Sequence, residues 1–136
     1  MPLMTWADEM TVGVKVLDDD HKTMIRLLSD LHEVVSSGRA RSALENGIEA
    51  MLRCTKAHFA REEMLFNQTA YPGAAEHKAE HEQLARRALN LQSRLESGQS
   101  RELSLQTMEI LKSWLADHIQ GSDQKYGPYM KAKGIQ

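Results

Sequence analysis

The chain of 136 residues contains a single cysteine, Cys54. A lone thiol excludes an intrachain disulfide and any cysteine-based zinc site, and Cys54 reads as a small buried apolar residue rather than a reactive one. An excess of one charge is lacking too: 17 basic residues are interspersed with 19 acidic ones for a formal net charge of -2. No basic footprint marks a nucleic-acid or anionic-membrane partner, so neither is expected. No run approaches the roughly 20 apolar residues needed to span a bilayer, and Met1 to Glu9 lacks the basic start and apolar stretch of a secretory signal. The expectation is a cytoplasmic protein without membrane insertion. Also missing are internal repeats, low-complexity tracts, linkers and convincing two-residue hydrophobic alternation, which argues against a sheet. At this length the size prior gives a single domain over 1–136 with a core of its own.

What is present is a helical period, four times over. Residues 1–17 lack it, and Val12-Gly13-Val14 with Val16-Leu17 reads as an extended N-terminal arm laid over a core and anchored by Trp6. From Asp18, a candidate N-cap, His21, Met24, Ile25, Leu28, Leu31, His32 and Val35 follow helical spacing up to Gly38, predicting a first helix over about 18–37. A second, over about 41–70, carries Leu44, Ile48, Met51, Leu52, Thr55, His58, Phe59, Glu62, Leu65 and Phe66 on its apolar side and stops before Tyr71-Pro72. The third, about 73–97, shows a narrow seam of His77, His81, Leu84, Ala88, Leu91 and Leu95 before Gly98. The fourth, about 101–120, runs from Leu103 through Thr107, Ile110, Leu111, Trp114 and Leu115 to His118 and is expected to end near Gly121, ahead of Tyr126-Gly127-Pro128-Tyr129. Four amphipathic helices on short connections predict an all-α, antiparallel up-down-up-down four-helix bundle.

Each of those helices places metal-competent side chains on its inward seam. His58 and Glu62 are four residues apart, as are His77 and His81, so each pair shares a helix face. His21 and His118 occupy the seams of the first and last helices. Imidazoles and carboxylates at a dry interface need partners, and a metal ion supplies one. Asp123 lies five residues after His118, about 140° round an ideal helix, so the two share a face only where the helix unwinds, for which Gly121 offers a place. Five histidines and two carboxylates are too many for one tetrahedral zinc, and the absence of thiolates disfavours softer ions. With two six-coordinate ions, two carboxylates spanning both and one bridging oxide or hydroxide, that donor set leaves a single open position. A histidine-rich set suits iron better than magnesium or calcium; zinc and manganese stay open on counting alone.

The ordered set, a histidine early in the first helix, His58-x-x-x-Glu62, His77-x-x-x-His81 and His118-x-x-x-x-Asp123, resembles the hemerythrins, in particular the single-domain bacterial ones. Trp6, Val12-Gly13-Val14, the Tyr71-Pro72 break and Trp114-Leu115 extend the resemblance over nearly the whole chain. It implies a non-haem di-iron centre that binds O2 reversibly. One iron would be held by His77, His81 and His118, the other by His21 and His58, with Glu62 and Asp123 bridging. The pocket over the open position would be dry, and Met24, Phe59, Trp114 and Ile119, each next to or one turn from a ligand, are the candidates for its wall.

Other polar residues read as bystanders. His32 is about 16 Å along the axis from His21, too far to join the centre. Glu63, turned roughly 100° from Glu62, reads as solvated; Asp18-Asp19-Asp20 as a cap with favourable helix-start charge; Glu80 and Glu82 as surface charge, a contact to a ligand histidine being the alternative. The methionines read as core gap fillers. Ferritin-like di-iron enzymes carry a glutamate three residues before a ligand histidine, and no histidine here has one, which favours a binding protein for oxygen transport, storage or delivery to an oxygen-using enzyme. A redox or O2 sensor and a weak oxidase or peroxidase are the alternatives. The apolar faces are all used inside one bundle and give no oligomeric state.

Overall fold

A computed structural model of the chain describes residues 3–38, 41–97 and 101–136. Met1 and Pro2 of the expected arm and the expected stop at Gly98 lie outside the described residues, as do the side chains of Leu95 and Leu103. Helices α1 (Lys15–Ser37), α2 (Arg41–Thr69), α3 (Ala74–Glu96) and α4 (Arg101–Asp117) form the four-helix bundle, with α1 packed on α2 and α4, and α2 on α3. The apolar positions of the helical period become a core in which Leu28, Met108 and Ile119 are fully buried.

The helix ends follow local chemistry. Gly38 closes α1 in the left-handed region at φ 65°, its N–H reaching the Val34 and Val35 carbonyls. At the end of α2 the left-handed position falls on Ala70, φ 54°, and the Tyr71 N–H donates to the Phe66 carbonyl at 3.1 Å. The expected Asp18 cap is not made. α1 begins three residues earlier, at Lys15, and Asp18 serves the arm instead: its carboxylate accepts the Val12 N–H at 2.8 Å and the Thr11 hydroxyl.

The arm is extended apart from one 3-10 turn at Asp8–Met10. Trp6 packs on its edge, partly exposed, with the Lys22 ammonium 5.1 Å over its ring, while Met4 and Met10 go deeper. The Val12 and Val14 side chains close a core with Leu17, Phe66, Tyr126 and Met130.

The largest departure from expectation is at the C-terminal end. Gly121 does not end the last helix. α4 runs on as a π-helical segment, His118–Asp123, and then as α5, Gln124–Ala132, which contains Tyr126-Gly127-Pro128-Tyr129. Burial outweighs the proline there: Tyr126 and Met130, one turn apart, are both fully buried. Gly127 is required by close approach, since a Cβ on it would lie 2.5 Å from the Val12 carbonyl oxygen.

Candidate metal centre

The π-helical segment settles the geometry that an ideal helix forbids. A π-turn bonds residue i to i+5, so residues five apart stack along its axis. His118 and Asp123 therefore share a face by widening of the helix, not by unwinding, and His118 Nε2 lies 3.0 Å from Asp123 Oδ1. Across the bundle, α1 contributes His21, α2 contributes His58 and Glu62, and α3 contributes His77 and His81. All seven residues are buried, Glu62 and Asp123 completely.

They converge as two overlapping groups. Donor atoms of Glu62, His77, His81, His118 and Asp123 lie within 4.8 Å of one another, and so do those of His21, His58, Glu62 and Asp123. The two carboxylates belong to both. Asp123 turns Oδ2 toward His21 Nε2 at 2.6 Å and His58 Nε2 at 3.3 Å, and Oδ1 toward His77 and His118, each at 3.0 Å. Glu62 Oε1 faces the Nε2 atoms of His58, His81 and His77 at 3.2, 3.0 and 3.6 Å.

These spacings fit metal ligation. Two donors at right angles on an ion with bonds of about 2.1 Å sit about 3.0 Å apart. Among the described residues both Glu62 carboxylate oxygens, Asp123 Oδ1 and the Nε2 atoms of His77, His81 and His118 are buried without a hydrogen-bond partner. Six such atoms in one place would be costly in a dry core, and a cation coordinated at their centre satisfies them together. Without one, protons take that place. Burial disfavours the His77 cation, yet the Asp123 and Glu62 carboxylates raise its pKa to about 9. The same opposition holds His58 well above, and His118 above, the ordinary histidine value. Burial also works against ionised Asp123 and Glu62, but the facing histidines hold both below the ordinary carboxylate range.

Three carboxylates outside the cluster were misjudged or left open by sequence reasoning. Asp20 is not a helix cap; its Oδ2 accepts from His58 Nδ1 at 3.0 Å. Glu63 is not simply solvated, because its Oε2 accepts from His81 Nδ1 at 3.1 Å. Glu80 takes the alternative reading and accepts from His118 Nδ1 at 2.8 Å, with the Ser122 hydroxyl on the same oxygen. Each holds a ring so that Nε2 points inward. Tyr126 was missed as well. Burial first, then the Asp123 and Glu62 carboxylates, keep its phenol neutral, and its ring stands 5.6 Å from that of His77.

On the side away from Tyr126 the cluster meets an apolar cavity of about 100 Å³, lined by Met24, Phe59 and Trp114 together with Leu111, Leu115 and His118. Phe59 stacks on His81 at 3.8 Å between ring centroids. Ile119 is fully buried in the same core group as Met24 and Leu115. His32 is only partly buried and belongs to neither donor group.

Fold and site together define a four-helix-bundle protein with a buried metal centre. The chain belongs to the hemerythrin family: residues 12–130 match the hemerythrin HHE cation binding domain. It is 36% identical to a bacteriohemerythrin of Stenotrophomonas maltophilia over 97% of this chain and 84% of that protein. To a bacteriohemerythrin of Methylococcus capsulatus it is 34% identical, over 97% of this chain and the whole of the other. A crystal structure of wild-type hemerythrin superposes with a TM-score of 0.83 at 32% identity, covering 93% of this chain and 96% of that one.

Proposed function

We propose that this chain, a single domain, binds O2 reversibly at a pair of non-haem iron ions. In this reading His77, His81 and His118 would hold one ion, His21 and His58 would hold the other, and Glu62 and Asp123, which belong to both donor groups, would be shared between them. The observation that carries it is the division of Asp123, one oxygen toward each histidine group. When bound, the ion pair supplies two electrons and one open position, which is what reversible O2 binding requires. The protein's share is to orient the imidazoles, to offer a matched pair of carboxylates, and to keep water away. Met24, Phe59 and Trp114, which line the apolar cavity, would form the wall of the O2 pocket with Ile119, which is fully buried in the core group of Met24 but does not line that cavity.

Binding without turnover is favoured by the same donor set, which is rich in neutral imidazole and poor in carboxylate. The physiological role would be carriage, storage or delivery of O2 to an oxygen-using enzyme in the cytoplasm. Among the described residues no helix is long and apolar enough to cross a membrane, which is compatible with that placement.

The test is anaerobic loading with ferrous iron, quantification of iron per chain, and visible spectra as O2 is added and removed. Two irons per chain and a visible band that comes and goes with O2 are expected. One iron or none would overturn the seven-residue assignment, and immediate irreversible oxidation would favour an oxidase or redox sensor.

A further inference from the structure

The three carboxylates behind the histidines are not held alike. Among the described residues, Glu80 is fixed by the Ser122 hydroxyl, and Glu63 has only the Lys78 ammonium, 4.0 Å from its Oε1. Asp20 alone among them is gripped by a guanidinium: Arg61 Nε donates to Oδ2 at 2.8 Å and an Arg61 terminal nitrogen donates to Oδ1. Both carboxylate oxygens are thereby committed, and Oδ2 also receives the His58 Nδ1 proton. A forked pair of this kind fixes the plane of the carboxylate as well as its place.

The elements make the arrangement economical. Arg61 follows His58 by three residues on α2, so both reach toward α1 from one face. Asp20 precedes His21 on α1. One carboxylate thus ties the α2 ligand to the α1 backbone segment that carries the other histidine of the same group. His21 itself has no such support, since its Nδ1 is buried without a hydrogen-bond partner among the described residues. The two-histidine group depends on a single oriented ring, whereas the other group has two, His81 and His118, each with its own carboxylate.

We infer that Arg61 is a positioning residue: through Asp20 it fixes the His58 ring and so sets how tightly the ion of the two-histidine group is held. The inference rests on the two-metal reading above. Arg61 is part-exposed, with 39% of its side chain accessible, and touches no donor atom of the cluster, so its effect is transmitted through Asp20.

Anaerobic titration of the metal-free full chain with Co2+, followed by its visible absorption, separates the possibilities. Wild type is expected to take two ions; uptake of one or none would defeat the two-metal reading rather than the role of Arg61. In R61Q, binding of one ion is expected to weaken about 10-fold while the other is unchanged, on the scale of losses seen when the outer partner of a metal-bound histidine is removed. The weakened ion should be the one lost in H21A, and not the one weakened by E80Q. R61K should recover only part of the loss, because an ammonium cannot reproduce the fork. Wild-type affinity for both ions in R61Q, or equal weakening of both, would overturn the inference. Should R61Q fail to fold, R61M, which keeps the apolar stem of the side chain but donates no hydrogen bond to Asp20, provides the test with Asp20 intact: the same one-ion loss is expected, and two wild-type affinities overturn the inference.

Discussion

His77 shows most clearly what the cluster does to a single side chain. Its pKa, about 9 against an ordinary 6.5, means that the metal-free fold holds a proton that the unfolded chain releases earlier. A pKa raised in the folded state contributes stability that is complete below about pH 6.5 and is lost as pH rises through about 9. His58 and His118 move in the same direction. Glu62 and Asp123 are depressed, so their contribution is present above the ordinary carboxylate values and is lost only in strong acid. Thermal melts of chelator-treated protein should therefore show a Tm that falls between pH 6.5 and 9.5. A flat or rising Tm over that window would mean that the carboxylates do not hold the histidines in their protonated form. Metal uptake has the opposite slope, because each ion displaces those protons and binds more tightly as pH rises. The residues that produce this behaviour were legible in the sequence because two pairs stand four apart on helices, a purely local relation. Asp20, Glu63 and Glu80 were not, because each meets a histidine of another helix, and nothing in the spacing of α1, α2 or α3 says which surface carboxylate ends up opposite which ring.

At the scale of elements, the four bundle helices followed from hydrophobic period and punctuation, and the continuation of the last one into α5 did not. Gly121 has the composition of a helix stop, yet a Cβ there would meet nothing within 4 Å, whereas one on Gly127 would collide with backbone. The glycine that matters lies inside α5, where its lack of a side chain lets the arm cross. Gly127→Ala is predicted to cost about 1–3 kcal/mol, as overpacking against an unyielding carbonyl does. Gly121→Ala should leave stability unchanged or raise it by about 0.5–1 kcal/mol through helix propensity. Urea unfolding of the two variants checks this; equal effects would show that the arm does not press on α5. Periodicity could not reveal the π-helical segment, since a hydrophobic stripe gives no warning of one extra residue in a turn. The spacing of His118 and Asp123 was the available signal. It pointed to a break in regular α-helix at the right place, but the expected break was an end at Gly121, whereas the helix widens there and continues. Burial of Tyr126 and Met130 decides for widening, because ending the helix would expose both.

For the whole molecule, the metal centre is a joint between elements distant in sequence. Its side chains come from α1, α2, α3 and the π-helical segment, and Asp20, Glu63 and Glu80 tie three of its rings across helix pairs. Each donor group draws on three of these segments, with α2 and the π-helical segment common to both, so cations in the two groups would together cross-link all four, whereas their removal leaves buried carboxylates and imidazoles that only protons can reconcile. Folding and metal binding are then linked: an ion present at about 1,000 times its dissociation constant stabilises the fold by about 4 kcal/mol per site. For a chain of this size that corresponds to a rise in Tm on the order of 10 °C. Chelation should lower Tm by at least that amount, and re-addition of metal should restore it without refolding from denaturant. The sign of this effect depends on pH. The gap between loaded and metal-free protein should widen from pH 6.5 to 9.5, since the metal-free fold weakens as the metal-bound one tightens. A chelator-induced change that is small and independent of pH would show that the bundle stands on its apolar core alone, with the seven polar residues as passengers.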